Sequence, residues 1–431
     1  MTENVLIVHG GGPTAVINSS LYGVIEEAKK IGKFDKVYAA IGGSEGILKE
    51  CFLNLLAFPE EKLKLLLETP ATAIGSSRYA LDQEDYEAMV GIFKKYEIKY
   101  VLLNGGNGTM DMCGRIYEVC KDKDIRVIGI PKTIDNDIAI TDHAPGFGSA
   151  ARYIAATTAE VGVDVKALPI HVCIIEAMGR NAGWITAASA LARKKPGDAP
   201  HLIYLPERAF NEEEFLEDVK QLHKEKGGVV VVVSEGLKNE AGEPVVPPIF
   251  KTERATYYGD VSAYLAGILI NASVSVLMFL LTFLLIQLLV RWLDLLARLP
   301  IISGLNKIAG ALLGLAHGLL LLWVACLLLD RDESVLAGRE SLKAAVAGQS
   351  GVMVGFIRDE EAEKTNGVYR MHTEMIPIKE VMMYERTIPK SYLNERGNDV
   401  TEEFIRWCRP LIGPELRDFI DFNITSRTHT K

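Results

Sequence analysis

Two carboxylates, an amine and a hydroxyl are concentrated in the segment Pro131 to Asp137. This segment comes directly after Arg126 to Ile130, an apolar run that predicts a buried β-strand. In an extended loop beyond a strand end, Asp135 and Asp137 can do different work: one carboxylate accepts a hydroxyl proton, and the other serves a metal ion. A solvated acidic turn would have the same composition, so the segment alone leaves both interpretations open.

Two glycine-rich turns have the form of phosphate-binding loops. Gly10 to Thr14 lies between an apolar run and an amphipathic stretch, and Asn104 to Thr109 repeats this arrangement. At such a strand-to-helix turn, the backbone N–H groups and the positive end of the helix dipole can bind phosphate oxygens. A tight turn without a ligand would look the same, but two such turns on adjacent strands can converge on one polyphosphate. Beside the acidic segment, they favour phosphate chemistry.

The runs that precede these turns belong to a repeated pattern of strands and helices. Continuous apolar strands separated by helical patterns predict parallel sheets that are covered on both faces. In such sheets, ligands bind at the carboxyl ends of the strands. The predicted strands are Val5 to Val8, Lys36 to Ile41, Tyr100 to Leu103, Arg126 to Ile130, His171 to Ile175, His201 to Leu205 and Val229 to Val233.

Length, charge and cysteine content narrow the class of protein. The chain has 431 residues, enough for two or three lobes, because single cores stop growing at roughly 250 to 300 residues. The formal net charge of -9 and the absence of any run of Lys or Arg argue against a nucleic-acid partner. The six cysteines lack metal-ligand spacing, and most sit in apolar surroundings that suit reduced thiols. Since no secretory signal pattern begins the chain, we expect a cytoplasmic enzyme.

Residues 266–329 interrupt this pattern with two long apolar runs. Leu269 to Val290 and Ile308 to Leu329 each have about the twenty residues that a bilayer core requires. Glycines at a four-residue spacing in the second run permit close helix contact. We therefore expect a membrane-like helical hairpin; the alternative is a buried hairpin in a large soluble core. The soluble pattern then resumes, with an amphipathic helix from Glu333 to Ala347 and a strand from Gly351 to Phe356.

Five short motifs follow one another in a characteristic order: Gly11-Gly12, Gly105 to Thr109, Pro131 to Asp137, Met178 to Arg180 and Ser234 to Gly236. Phosphofructokinases have these motifs in this order, and the chain resembles a bacterial member of that family. The resemblance covers about residues 3–265 and resumes from about Asp330. It implies an α/β fold with two doubly wound parallel-sheet lobes, into which the hydrophobic α-helical hairpin is inserted.

The resemblance assigns a role to each matched residue. It implies that Asp135 is the general base on the 1-hydroxyl of fructose 6-phosphate, with Thr133 and Asp137 shaping the site. Arg78 matches a position that clamps the transferring phosphoryl group, where a planar cation stabilises spreading charge. The residues implied around the sugar phosphate are Asp137, Met178, Gly179, Arg180 and Glu235. Those implied at the phosphoryl donor are Gly11, Gly12, Gly105, Gly106, Asn107, Gly108, Thr109 and Lys132.

The resemblance also implies Mg²⁺ and a choice of phosphoryl donor. Asp137 and Asn107 are the candidate metal ligands, although Asn107 replaces an Asp of many members and a neutral amide is a weaker ligand. Members that use pyrophosphate tend to carry a carboxylate where this chain has Gly108. The glycine leaves space for a nucleotide and so favours ATP. Lys132 is commoner in pyrophosphate users. We expect ATP, with pyrophosphate as the alternative.

Two other functions compete with a phosphofructokinase. NAD and lipid kinases share a similar glycine loop but lack the strings Pro131 to Asp137 and Met178 to Arg180. A nucleotide-binding or membrane-tethered protein without turnover is the non-enzymatic alternative. It is suggested by residues 265–329, which lack the basic and polar residues that hold the sugar phosphate in the family. If the chain is an enzyme, the resemblance implies a homo-oligomer.

The hydrophobic segment has a resemblance of its own. Gly304 to Lys307 and the following glycine-spaced run are similar to the membrane helices of the colicin V production protein family. We therefore interpret the chain as a chimera. Residues 1–265 would form the lobes with the donor and sugar-phosphate loops, residues 266–329 a foreign hydrophobic hairpin with possible membrane contact, and residues 330–431 the remainder of the kinase fold.

Overall fold

Three strands that precede the predicted site lie side by side in one parallel sheet. In a computed structural model that describes residues 3–14, 16–251, 256–270, 331–359 and 369–418, strand β1 (Asn4–His9) pairs with β4 (Ile98–Gly105), and β4 pairs with β5 (Arg126–Pro131). Their apolar residues are almost fully buried. This burial follows from the sequence, because a run that is apolar at every position needs cover on both faces of its sheet.

Alternate residues of β1 face two different hydrophobic layers. Leu6 and Val8 pack in one cluster with α4 (Gln83–Lys95) and α5 (Asn107–Cys120). Val5 and Ile7 pack in the other cluster, on the opposite face of the sheet. Side chains of successive strand residues point to opposite faces, so this sheet is covered on both sides as the pattern predicts.

The second layer contains two helices that are far apart in sequence. Helix α1 (Ile17–Ile31) crosses α10 (Arg331–Val346) so closely that a Cβ on Gly23 would lie 2.1 Å from the carbonyl oxygen of Val335. Gly338 makes the reciprocal approach, 2.0 Å from the carbonyl oxygen of Ser20. The helix that follows residue 330 is therefore packed directly against the first helix of the chain.

Within the described residues, the first sheet has seven strands in the order β12-β11-β5-β4-β1-β2-β3. The strands β1, β2, β4, β5 and β11 run parallel, whereas the edge strands β3 and β12 are antiparallel to their neighbours. The carboxyl-terminal part of the chain thus completes this sheet. The other members are β2 (Val37–Ala40), β3 (Phe52–Asn54), β11 (Val352–Arg358) and β12 (Met371–Pro377).

A second, smaller sheet has three parallel strands in the order β6-β8-β7, and β9 and β10 form a separate hairpin. These strands are β6 (Val172–Ala177), β7 (Leu202–Tyr204), β8 (Val229–Ser234), β9 (Pro248–Lys251) and β10 (Thr256–Tyr258). The remaining α-helices are α2 (Gly43–Leu48), α3 (Glu60–Lys64), α6 (Phe147–Ala167), α7 (Trp184–Ala188), α8 (Glu212–Lys226), α9 (261–270), α11 (Ile378–Val381) and α12 (Glu402–Cys408).

The prediction of parallel sheets separated by helices is confirmed, but the antiparallel edge strands were not predicted. Of the expected hydrophobic hairpin, only residues 266–270 fall within the described part, where they belong to helix α9; residues 271–329 lie outside it. In the described ranges, no helix has both the length and the apolar character needed to cross a membrane.

Candidate active site

The two glycine turns and the acidic loop meet at the carboxyl ends of β1, β4 and β5. The Gly10 N–H donates to the Asn104 carbonyl oxygen (2.9 Å), and the Lys132 N–H donates to that of Gly105 (3.0 Å). A Cβ on Gly105 would lie 2.1 Å from the Thr109 hydroxyl oxygen and 2.7 Å from the Gly10 carbonyl oxygen, so only glycine fits there. We call the residues 10–14, 104–109 and 131–137 the donor half of the site.

The amino terminus of α5 faces this junction. The helix begins at Asn107, directly after the extended Gly106, and its first turn carries no acidic residue. Gly11 (φ +74°) and Gly108 have open space where a Cβ would stand. Unpaired N–H groups at a helix start, beside backbone that no side chain covers, can receive the oxygens of an anion.

Lys132 places a buried amine among these loops. Its side chain reaches across to the first turn, where Nζ donates to the Gly12 carbonyl oxygen, and only 5% of the residue is exposed. Burial lowers the pKa of Lys132, and the carboxylates of Asp135 and Asp137 oppose that effect. A desolvated ammonium group of this kind gains strongly from an anionic ligand.

Asp135 and Asp137 are held by different partners. The Thr133 hydroxyl accepts a hydrogen bond from the Asp135 N–H (3.1 Å), and the Asp137 carbonyl oxygen accepts one from the Arg386 N–H (2.7 Å). Burial raises the pKa of Asp135, and the charge of Glu235 raises it further, against the opposing effect of Lys132. Burial and the charge of Asp135 raise the pKa of Asp137 to about 6. A base whose pKa is raised towards neutrality suits proton abstraction.

The donor half contains oxygen atoms that suit a divalent cation. Oδ1 of Asp135 and Oδ1 of Asn107 are buried and have no hydrogen-bond partner. The Asn107 amide also donates weakly to the Asp137 carbonyl oxygen (3.4 Å), which brings the two candidate metal ligands together. Mg²⁺ binds few protein oxygens and completes its shell with water and phosphate. These residues fit such an ion, although the described part of the chain holds no cluster of three or more ligands of the His, Cys, Asp or Glu type.

The loop that carries Arg78 lies over the first glycine turn. The Ser76 hydroxyl donates to the Gly11 carbonyl oxygen (2.8 Å), and the Gly42 N–H donates to that of Ile74 (2.8 Å). His9 reinforces the loop through Nδ1, which lies 2.8 Å from the Thr72 hydroxyl. Arg78 itself is exposed. The structure thus brings the loop of Arg78 to the donor half.

The other predicted residues lie at the carboxyl ends of β6 and β8 in the second sheet. The Glu235 carboxylate accepts a hydrogen bond from the Gly179 N–H (3.2 Å), and Gly179 has a φ of +120°. The Arg180 guanidinium lies 5.9 Å from the centre of the Tyr258 ring. Met178 is 57% exposed. We call the residues 178–180 and 234–236 the acceptor half.

The acceptor half borders a cavity of about 130 Å³, which is lined by Arg180, Glu235, Lys238 and Tyr258 among others. The charge of Glu235 contributes to the raised pKa of Asp135, which indicates that Glu235 lies near the acidic loop. Of the predicted substrate residues in the second sheet, Glu235 is therefore the one that the electrostatics bring close to Asp135 of the first sheet.

Sequence reasoning missed the carboxyl-terminal residues that support the acidic loop. Arg386 binds the Asp137 carbonyl oxygen, and Glu385 forms a β-bridge with Ile138. The Asn136 side chain accepts a hydrogen bond from the Ala144 N–H (2.9 Å). No local signal marks Glu385 or Arg386, because their partners lie about 250 residues away in the sequence.

Comparisons with known proteins agree with this geometry. The family model described as Phosphofructokinase matches residues 4–275, and that of the Colicin V production protein matches residues 255–335. The chain is 35% identical to a pyrophosphate–fructose 6-phosphate 1-phosphotransferase of Rhodospirillum rubrum, over 96% of this chain and 95% of that protein. It is 29% identical to a sulfofructose kinase of Alkalicoccus urumqiensis over 91% of this chain and 92% of that protein.

A solved phosphofructokinase structure is also similar to this chain. The pyrophosphate-dependent phosphofructokinase of Marinobacter aquaeolei superposes with a TM-score of 0.75 at 30% identity and covers 97% of this chain and 94% of its own. These alignments extend on both sides of residues 271–330, so the carboxyl-terminal part belongs to the same fold as the first lobe. The chain belongs to the phosphofructokinase family.

Proposed function

We propose that the chain transfers a phosphoryl group from pyrophosphate to the 1-hydroxyl of fructose 6-phosphate, giving fructose 1,6-bisphosphate and phosphate. The observation that carries the choice of donor is the buried amine of Lys132. Pyrophosphate has no nucleoside to add contacts, so a desolvated cation between the glycine turns is a favourable partner for it. The names of the similar proteins from Rhodospirillum rubrum and Marinobacter aquaeolei support the same donor, against the ATP expected from the sequence.

In this proposal each half of the site has its own task. Asp135 takes the proton of the 1-hydroxyl as that oxygen attacks the terminal phosphorus, and the bridging P–O bond breaks in line. The leaving phosphate keeps the bridging oxygen. Lys132, Arg78 and the N–H groups of the glycine turns stabilise the charge on the phosphoryl oxygens. Arg180 and Glu235 orient the sugar phosphate.

Mg²⁺, when bound, would neutralise charge on the donor oxygens. The residues that would hold it are Asp137 and Asn107, together with the unpartnered Oδ1 of Asp135. Asp137 and Asn107 are the ligands that the sequence suggests, and Asp135, the proposed base, is added to them.

ATP is the second candidate donor, because the space beside Gly108 is open. Initial rates with fructose 6-phosphate and either pyrophosphate or ATP decide between them. We expect a pyrophosphate rate at least tenfold above the ATP rate, and net formation of pyrophosphate from fructose 1,6-bisphosphate and phosphate in the reverse direction. Turnover with ATP alone would refute pyrophosphate as the donor. Absence of turnover with both donors would favour the inactive chimera.

The Gly108→Asp variant sharpens this test. No atom lies within 4 Å of the position where a Cβ would stand, so the added carboxylate does not disturb packing. We expect it to remove residual ATP use and leave most of the pyrophosphate activity. Gly91→Asp is the matched control, because Gly91 also has open space but lies in α4.

A further inference from the structure

A cluster of charged and aromatic side chains lies behind the catalytic loop, outside the substrate site. At its centre is His143, whose side chain is 1% exposed. Its Nδ1 lies 3.0 Å from Oδ2 of Asp142, and its Nε2 lies 3.2 Å from Oε2 of Glu333. Both ring nitrogens face carboxylates, and only the doubly protonated imidazolium can donate to both.

The charges around the ring favour that form. Burial alone lowers the pKa of His143, but Glu333 and Asp142 outweigh burial and raise it to about 9. Burial likewise opposes ionisation of Asp142, yet the hydrogen bond from His143 and the charge of Arg358 lower its pKa to about 2. The other polar groups that face the cluster are Arg358 of β11, Tyr369, Trp407 of α12 and Arg386.

The cluster is joined to the catalytic loop at two points. Arg386 donates from its guanidinium to the Asp142 carbonyl oxygen and from its backbone N–H to that of Asp137. One residue beyond His143, the Ala144 N–H donates to the Asn136 side chain. A shift of residues 142–144 would therefore be transmitted to Asn136 and Asp137.

The cluster is joined on its other side to the start of α10. Glu333 lies in the first turn of α10, which begins at Arg331. The two residues of the pair, His143 and Glu333, are 190 positions apart in the sequence. The pair connects the catalytic loop with the first turn after residues 271–330.

We propose that His143 is a positioning residue for phosphoryl transfer: held as an imidazolium between Asp142 and Glu333, it fixes the loop of Asp135 and Asp137 against the start of α10. The inference rests on the proposed function, because it assigns catalysis to that loop. It adds a requirement for activity that lies outside the five sequence motifs: α10 must pack so that Glu333 contacts His143.

The Glu333→Gln variant tests this role, since it removes the charge and keeps the size and a hydrogen-bonding oxygen. The imidazolium should then lose its proton at a lower pH. We expect kcat to begin its alkaline fall about one pH unit earlier than in the unmodified protein, with both KM values within about twofold. An alkaline limb that superposes on that of the unmodified protein would overturn the proposal.

Urea unfolding gives a readout that does not depend on turnover. Since the folded pKa of His143 is raised above its unfolded value of about 6.5, the stabilisation is complete below that pH and is lost as pH rises through about 9. The stability difference between the two proteins should therefore shrink between pH 7 and pH 9.5. A difference that stays constant would contradict the ion pair even if no phosphoryl transfer is found.

Two further variants keep the test decisive. Glu340→Gln is the matched control, because Glu340 lies on the same helix and pairs only with Lys343 on the surface in the described contacts (2.9 Å); it should leave both pH profiles unchanged. If Glu333→Gln does not fold, the double variant His143→Gln/Glu333→Gln replaces it. We expect that protein to show reduced kcat without the step near pH 9, and normal kcat would overturn the proposal.

Discussion

The donor half and the acceptor half of the site differ in how their functional side chains are held. Lys132 and Thr133 are almost completely buried, and the loops of this half are hydrogen-bonded to one another. In the acceptor half, Met178 and Arg180 are exposed. Charges in a desolvated, fixed arrangement act strongly on a reacting group, whereas exposed charges are screened by water. Substitutions in the donor half should therefore lower kcat, and those in the acceptor half should mainly raise KM for the sugar phosphate.

The largest expected effect is that of Asp135→Asn. This variant removes the proposed base and keeps the shape of the side chain, so we expect kcat to fall roughly 10²- to 10⁴-fold with little change in either KM. Steady-state rates with pyrophosphate and fructose 6-phosphate measure it. Asp124→Asn, at the opposite end of β5, is the control and should be active. Full activity of Asp135→Asn would contradict a catalytic role for the donor half.

Lys132→Met should have the next largest effect. Loss of a hydrogen bond to a charged group costs about 1.5–3 kcal/mol, which corresponds to roughly a 10- to 150-fold loss of kcat/KM for pyrophosphate. Lys132 also lowers the pKa of Asp135. Because the base must be ionised, the acid limb of the rate profile should move to higher pH in the variant. Lys121→Met, on the surface, is the control.

The proposed role of Lys132 in binding pyrophosphate is contradicted if Lys132→Met keeps its pyrophosphate activity and if the acid limb of its rate profile does not move. That result would mean that the amine serves only the Gly12 carbonyl oxygen in the structure, and Gly108 would then be the better guide to the donor.

The smallest of these effects is expected for Arg180→Ala. Exposed ion pairs contribute about 0.2–1 kcal/mol, so KM for fructose 6-phosphate should rise roughly 1.4- to fivefold while KM for pyrophosphate and kcat hardly change. Arg180→Lys should recover part of the loss. A fall in kcat instead of a rise in KM would contradict the proposal that the acceptor half mainly binds the sugar phosphate.

The sequence was sufficient for the donor half because its signals are local. Each glycine turn follows an apolar strand, and the segment Pro131 to Asp137 follows another, so their meeting at one sheet edge was predictable from the parallel arrangement. The position of β11 beside β5 was not, since no local pattern says which strand a distant segment will join. His143 was missed for the same reason: its partner Glu333 is remote in sequence, and the pair exists only in the folded chain.

The sequence indicates the fold more clearly than the phosphoryl donor. Gly108 and Lys132 pointed to different donors, and sequence spacing could not weigh an open space against a buried amine. The structure shows that the amine lies inside the donor half, 5% exposed, where its desolvation favours a compact anion. The predicted hydrophobic hairpin lies almost wholly outside the described residues, so it stays a prediction.

The central claim is that the donor half is assembled to receive pyrophosphate beside Asp135. A crystal structure of the chain with Mg²⁺ and imidodiphosphate, which resists transfer, tests it most directly. We expect the anion between the two glycine turns, within hydrogen-bond distance of the Lys132 amine, with its terminal phosphorus facing the Asp135 carboxylate. An anion bound at another surface, with Lys132 still donating to Gly12, would contradict the account.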